Sequence, residues 1–159
     1  MNTGGQFLTF TVGEQTYGID ILDIQEIRGG GTVTPVPHAP PHVRGVMNLR
    51  GTIVPVVDLR RRFGVPEIDF GRFTVIVVVA VEGRTIGFVV DTVSEVRDLA
   101  GAAVTPPPWN GGGERFLTGV AAGGEELVML LDLPRLIRGH AAGQVGESDQ
   151  TGKQRGQER

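Results

Sequence analysis

Residues 45–59 read GVMNLRGTIVPVVDL, and residues 119–133 read GVAAGGEELVMLLDL. In both, a Gly-Val pair precedes an Asp-Leu pair by thirteen positions, and Ile53-Val54-Pro55-Val56-Val57 falls on Leu127-Val128-Met129-Leu130-Leu131. The upstream residues agree as well. Thr16-Tyr17-Gly18 with Ile24-Gln25-Glu26-Ile27 matches Thr85-Ile86-Gly87 with Val93-Ser94-Glu95-Val96. Self-similarity on this scale marks a duplicated structural unit, and it divides the chain into two related modules, about 7–64 and 73–138.

Each module reads as short strands. Val, Ile, Thr and Phe dominate runs that are separated by turn residues, with 25 Gly and 10 Pro in the chain, a pattern of many short β-strands. FLTFTV (7–12) and TYGID (16–20) flank a Gly-Glu-Gln turn, and TVIVVVAV (74–81) and TIGFVVD (85–91) flank Glu82-Gly83-Arg84. VMNL and TIVPVV flank Arg50-Gly51, and LTGVA and LVMLLDL flank residues Ala122 to Glu126. These are four hairpins. The run VIVVVAV (75–81) has no polar alternation, so it reads as a strand buried on both faces. Asp58 is placed to cap a short helix over Leu59 to Phe63 that Gly64 and Pro66 stop, and Asp132 to cap Leu133 to Ile137, where Pro134 falls in the tolerated first turn. Four or five strands per module suffice for a small barrel that is marginal alone, so the expected fold is mainly β: two small barrels packed together, with short helices. VTPPPWNGGGER (104–115) reads as a surface connection. Residues 1–6 and the polar stretch 139–159 read as disordered ends.

Composition narrows the chemistry. The 159 residues are 40% hydrophobic and contain no cysteine, which excludes disulfides, thiolate metal sites and cysteine nucleophiles. Only Met1 to Gln6 precede the first strand, so no export signal is expected and the cytosol is the default compartment. No apolar run approaches the ~20 residues of a membrane-spanning helix. The net charge is −3, and the one basic cluster, Arg60-Arg61-Arg62, lacks stacking aromatics, so nucleic acid is not an expected partner. That cluster reads as the solvated, dipole-matched end of the first short helix.

Arg50 is the anomaly. A two-residue hairpin tip favours Asn-Gly or Asp-Gly because both central residues take a left-handed backbone, yet Arg50 precedes Gly51 here. A charge kept at a poor turn position suggests an external contact.

The run from Arg44 to Leu59, RGVMNLRGTIVPVVDL, resembles the signature of the CheW family of bacterial chemotaxis adaptors. Tyr17-Gly18-Ile19-Asp20, Gln25-Glu26-Ile27-Arg28, Gly87-Phe88-Val89-Val90-Asp91 and Phe116-Leu117-Thr118-Gly119-Val120 resemble the same family in the same order. The resemblance spans about 7–138. It implies two packed five-stranded SH3-like β-barrels with short helices, and a non-catalytic, cytoplasmic adaptor without cofactor or metal. Such an adaptor couples the regulatory domain of a CheA-type histidine kinase to the cytoplasmic tips of methyl-accepting receptors, without inserting in the membrane. It also implies which residues meet those partners: Ile24, Glu26, Gly45, Asn48, Arg50, Gly51 and Val54. Arg50 would offer its guanidinium fork to a partner's carboxylate or carbonyl, and a side chain at Gly45 would obstruct close approach. The resemblance also implies a groove between the lobes that takes the receptor's helical tip, and Ile53 and Val54 could each face the core or that groove.

Other readings compete. An adaptor for a chemosensory pathway with a pilus or developmental output would carry the same residues. A small β-barrel enzyme would need Asp58, Glu26 and Arg50 to converge. His38 and His42 stand four apart, but Pro40 and Pro41 forbid the helix that would make them chelate. GGGERFLTG lacks the Gly-Lys-Ser/Thr ending of a phosphate loop. Trp109 reads as a core-edge residue rather than a binding anchor.

Overall fold

A computed structural model describes residues 5–29, 32–65, 75–106, 116–124 and 126–137. Trp109 and the stretch 139–159 lie outside the described residues. In chain order the strands are β1 (Gln6–Val12), β2 (Gln15–Asp20), β3 (Ile24–Gly29), β4 (Val43–Leu49), β5 (Thr52–Asp58), β6 (Val75–Val81), β7 (Arg84–Val90), β8 (Thr92–Asp98), β9 (Val104–Thr105), β10 (Leu117–Gly123) and β11 (Glu126–Leu131). A 3₁₀ turn at Ile21–Asp23 precedes β3, helix α1 is Leu59–Arg62, and α2 covers 133–137. All four expected hairpins form as antiparallel pairs. Their turns are tighter than the sequence suggests: Gln15, Arg84, Ala122 and Glu126 lie inside strands. Gly5 and Gln6, expected within the amino-terminal end, are held in the fold: the Gly5 carbonyl accepts the Leu99 N–H at 2.6 Å, and Gln6 opens β1 opposite Asp98.

The strands make two sheets, ordered β3-β6-β7-β5-β4 and β8-β1-β2-β11-β10-β9. The mainly β, two-barrel architecture is as expected, with one sheet extended to six strands by the short β9. The lobes are nevertheless not the sequence repeats. The hairpin β1–β2 that opens the first repeat belongs to the sheet of the second, and β6–β7, which opens the second, completes the sheet of the first. The crossing is made by two parallel pairs at matching places: Gly18 lies opposite Leu130, and Gly87 opposite Val56. The bulges repeat as well, at Ile24/Glu26 and in the strand facing Thr9/Phe10.

Burial explains the exchange. The largest core lies between the lobes and draws on both sheets, with Leu8, Phe10, Val12 and Ile19 from one and Val57, Val77, Val79 and Phe88 from the other. A second core of Met47, Leu49, Val54, Val56, Ile76, Val78 and Val89 fills the first lobe, and Leu99, Ala121, Val128 and Leu130 fill the second. Alternate residues of β6 thus enter two different cores, which is why its apolar run is unbroken. Phe10, Tyr17, Phe63 and Phe116 continue the inter-lobe contact as a row of rings 5.1 to 6.5 Å apart, ended by the Arg62 guanidinium 4.4 Å from the Phe116 centroid. Burial raises the Tyr17 phenol above its usual range.

Asp58 and Asp132 cap as expected, accepting from Arg60 N at 3.0 Å and Arg135 N at 3.1 Å. Arg60 differs from the expected solvated residue: it is 1% exposed. Its guanidinium grips Asp58 through both oxygens at 3.0 Å, and Arg44 Nε adds a bond at 2.9 Å. A chain that places Asp-x-Arg where β5 turns into α1 folds the arginine back on its own cap, and a fully buried carboxylate requires that partner. Burial alone would raise the Asp58 pKa, but the hydrogen bonds and charge of Arg60, with Arg44, hold it below the ordinary carboxylate value. The cluster also spans the lobes. Arg60 Nη1 lies 3.4 Å from Asp91 Oδ1, and Asp91 Oδ2 accepts the Gly13 N–H at 2.8 Å from the β1–β2 turn.

Candidate protein-interaction surface

At the tip of β4–β5, Arg50 and Gly51 have φ of 51° and 91°, the two left-handed residues of a primed hairpin turn. Asn48 Oδ1 accepts the Gly51 N–H at 2.8 Å and holds the turn shut. The strain of a left-handed arginine is offset by an ion pair. Arg50 Nη2 donates to Glu26 Oε2 at 2.7 Å, and Arg28 Nη1 stands 3.7 Å from Glu26 Oε1. Glu26 lies on β3 and Arg50 at the end of β4, the two opposite edges of the five-stranded sheet. The bridge therefore crosses the seam where this sheet curls back on itself. The carboxylate expected from a partner is supplied by the chain itself, yet the Arg50 side chain remains 70% exposed, with most of its fork open to a partner.

The surrounding apolar residues follow strand alternation. Ile53, opposite Asn48, is 62% exposed, and Ile27, next to Glu26, is 46% exposed. Together Glu26, Arg28 and Arg50 form a surface of one carboxylate between two guanidinium groups, with exposed Ile53 on the Arg50 hairpin, whereas Ile27 lies on the opposite face of β3. Arginine and large apolar side chains with unsatisfied contact capacity are typical of protein interfaces.

The seven residues expected to meet partners thus divide. Glu26, Asn48, Arg50 and Gly51 come together at the surface. Val54 does not: it is 0% exposed in the first-lobe core, because it points inward where Ile53 points outward. Gly45 is also buried, and its constraint is internal. It has φ of 146°, and a Cβ there would sit 2.0 Å from the Thr34 carbonyl, which pairs with Val46. Ile24 is half-buried against the inter-lobe core. Arg28 is absent from the expected set; the alternation within QEIR, which puts Glu26 and Arg28 on one face, points to it.

Asp58, Glu26 and Arg50 do not form one catalytic constellation. Asp58 is sealed by Arg60 and Arg44, whereas Glu26 is bound to Arg50 and Arg28. His38 lies in an exposed turn and His42 is half-buried, its pKa lowered by burial and then by the Arg62 charge. Among the described residues, no group of three or more His, Asp or Glu could hold a metal ion, and no helix is long and apolar enough to cross a membrane.

Two interlocked small barrels bearing an exposed ion pair, with an exposed isoleucine on the same hairpin, define a β-barrel module built for contact with other proteins. Comparison with known proteins agrees. The CheW-like domain family matches residues 6–141. The chain is 41% identical to the chemotaxis protein CheW of Klebsiella aerogenes, over 84% of this chain and 82% of that protein. It is 32% identical to the protein FrzA of Myxococcus xanthus, over 84% and 85% of the two chains. The crystal structure of the scaffolding protein TtCheW from Thermoanaerobacter tengcongensis superposes with a TM-score of 0.75 at 30% identity, covering 82% of this chain and 90% of that one. The chain belongs to the CheW family, a family of chemotaxis coupling and scaffold proteins.

Proposed function

We propose that this protein is a non-catalytic cytoplasmic adaptor that joins the regulatory domain of a CheA-type histidine kinase to the cytoplasmic tips of methyl-accepting receptors, and is recruited through them to membrane-associated arrays. The observation that carries this reading is the Glu26–Arg50 bridge at the exposed seam of the first lobe, with Ile53 exposed on the same hairpin as Arg50. An amphipathic helical tip supplies apolar anchors and carboxylates of the kind that such a surface takes. The shared inter-lobe core and the Asp58–Arg60–Asp91 cluster fix the lobes against each other, so the adaptor holds its partners as one rigid piece.

The same reading has a second version, in which the kinase served controls a pilus or developmental output instead of a flagellar one. Calorimetric titration with the kinase regulatory domain tests both versions: saturable one-to-one binding is expected, and its absence at several temperatures refutes them. Arg50→Glu sets two carboxylates against each other in an exposed site. It is expected to leave the fold intact while weakening receptor coupling more than kinase binding. Equal loss of both would show that the surfaces are wrongly assigned.

A further inference from the structure

The repeat makes a comparison between the two lobes possible at the level of single residues. Glu26, Ile27 and Arg28 of β3 correspond to Glu95, Val96 and Arg97 of β8, and the ion pair Glu26–Arg28 recurs as Glu95–Arg97 at 3.5 Å. The tips correspond too, since Leu49 pairs with Thr52 and Gly123 with Glu126. On that register Asn48 and Arg50 of the first lobe fall on Ala122 and Gly124 of the second. The residue that closes the first seam is therefore missing from the second.

What lies there instead is an open pocket of about 530 Å³, lined by Glu95, Val96, Arg97, Asp98, Leu99, Gly101, Ala102, Ala122 and Gly124. It lies between β8 and the end of β10, as the Arg50 side chain lies between β3 and the end of β4. Its wall offers an aliphatic strip, with Val96 53% exposed beside Ala102 and Ala122, and carboxylates around it. Glu126 is engaged, accepting from Thr16 Oγ1 at 2.6 Å and Arg97 Nη1 at 2.8 Å. Glu95 is more open, with a side chain 63% exposed and only the Arg97 contact at 3.5 Å, and Asp98 spends one oxygen on the Ala100 N–H. Arg97 is held by Glu95 and Glu126, and among the described lining residues the carboxylates of Glu95 and Asp98 outnumber the one guanidinium of Arg97, which leaves the pocket net negative.

We propose that this pocket receives an arginine side chain from a polypeptide partner, which takes in the second lobe the place that Arg50 takes in the first. The stem of the incoming arginine lies along Val96, Ala102 and Ala122, and its fork meets Glu95 and Asp98. Arginine suits the site better than lysine because the planar fork can bond two carboxylates at once.

The test is a chemical-shift titration of the ¹⁵N-labelled full chain with acetyl-Leu-Arg-Gly-amide, which copies the chain's own Leu49-Arg50-Gly51 tip. Saturable shifts are expected at residues 95–102, Ala122 and Gly124, with affinity in the millimolar range for so small a probe and weakening with salt. The double variant Glu95→Gln, Asp98→Asn should bind roughly three- to tenfold more weakly. Gly124→Arg should abolish binding by filling the pocket from within; Arg50 shows that a left-handed tip of this type accepts arginine. No saturable shifts, equal shifts with acetyl-Leu-Ala-Gly-amide, or shifts unchanged in both variants would overturn the proposal. The proposed arginine site goes beyond the adaptor reading, and because the pocket and the Glu26–Arg50 surface are on different lobes, receptor coupling and this titration can fail independently.

Discussion

Replacing Arg60 with methionine removes the guanidinium while keeping a long apolar stem in a site that is 1% exposed. Asp58 then loses the Nε and Nη2 bonds at 3.0 Å and keeps the Arg60 backbone N–H at 3.0 Å and Arg44 Nε at 2.9 Å. Leaving one partner of a buried ion pair behind costs about 3–5 kcal/mol. The surviving Arg44 bond places the expected loss near the lower end, about 3 kcal/mol, a large part of the roughly 5–15 kcal/mol that holds a domain folded. For a chain of this size that lowers Tm by roughly 6–12 °C. Urea unfolding followed by circular dichroism measures the loss directly. The double variant Asp58→Leu, Arg60→Met should be more stable than Arg60→Met alone, because it leaves no uncompensated charge on this pair. A single variant within about 1 kcal/mol of the parent, or a double variant at the sum of the two single losses, would refute the assignment of Asp58 and Arg60 as an interdependent buried pair.

Other outcomes follow from the same geometry. The Asp58 carboxyl is held below its ordinary value in the fold, so its contribution to stability is complete above about pH 4 and is lost as pH falls through the depressed folded value. Asp58→Asn should therefore flatten the acid limb of the urea midpoint against pH. Ile53→Ala and Val54→Ala, adjacent in sequence, should separate: Val54→Ala costs about 1–3 kcal/mol of stability, whereas Ile53→Ala stays within ~0.5 kcal/mol and instead weakens partner binding in calorimetry. Gly45→Ala drives a Cβ against the Thr34 carbonyl and should cost at least about 1–3 kcal/mol, with loss of protection of the Thr34 and Val46 amides in hydrogen exchange.

Much of this protein was legible in the order of its residues. Strand propensity and turn chemistry marked the four hairpins, the unbroken VIVVVAV run showed a strand buried on both faces, and Asp58 and Asp132 stood where caps belong, because each of these depends on neighbours within a few residues. Glu26 and Arg50 were likewise recognisable as surface residues of interest. Their pairing was not, since 24 positions separate two residues that meet only when the sheet curls and brings its edges together. The division of Ile53 from Val54 needed the strand's register in the sheet, because alternation says that they face opposite ways without saying which faces in. Arg60 looked solvated in a run of three arginines, and only the packing of α1 against β7 and the β1–β2 turn made it a buried bridge between lobes. The exchange of β1–β2 and β6–β7 was decided in the same way. A repeat in sequence records equivalent local structure, whereas the choice of sheet for each hairpin depends on which arrangement buries both faces of β6 and builds the shared core, a free energy that exists only in the assembled fold.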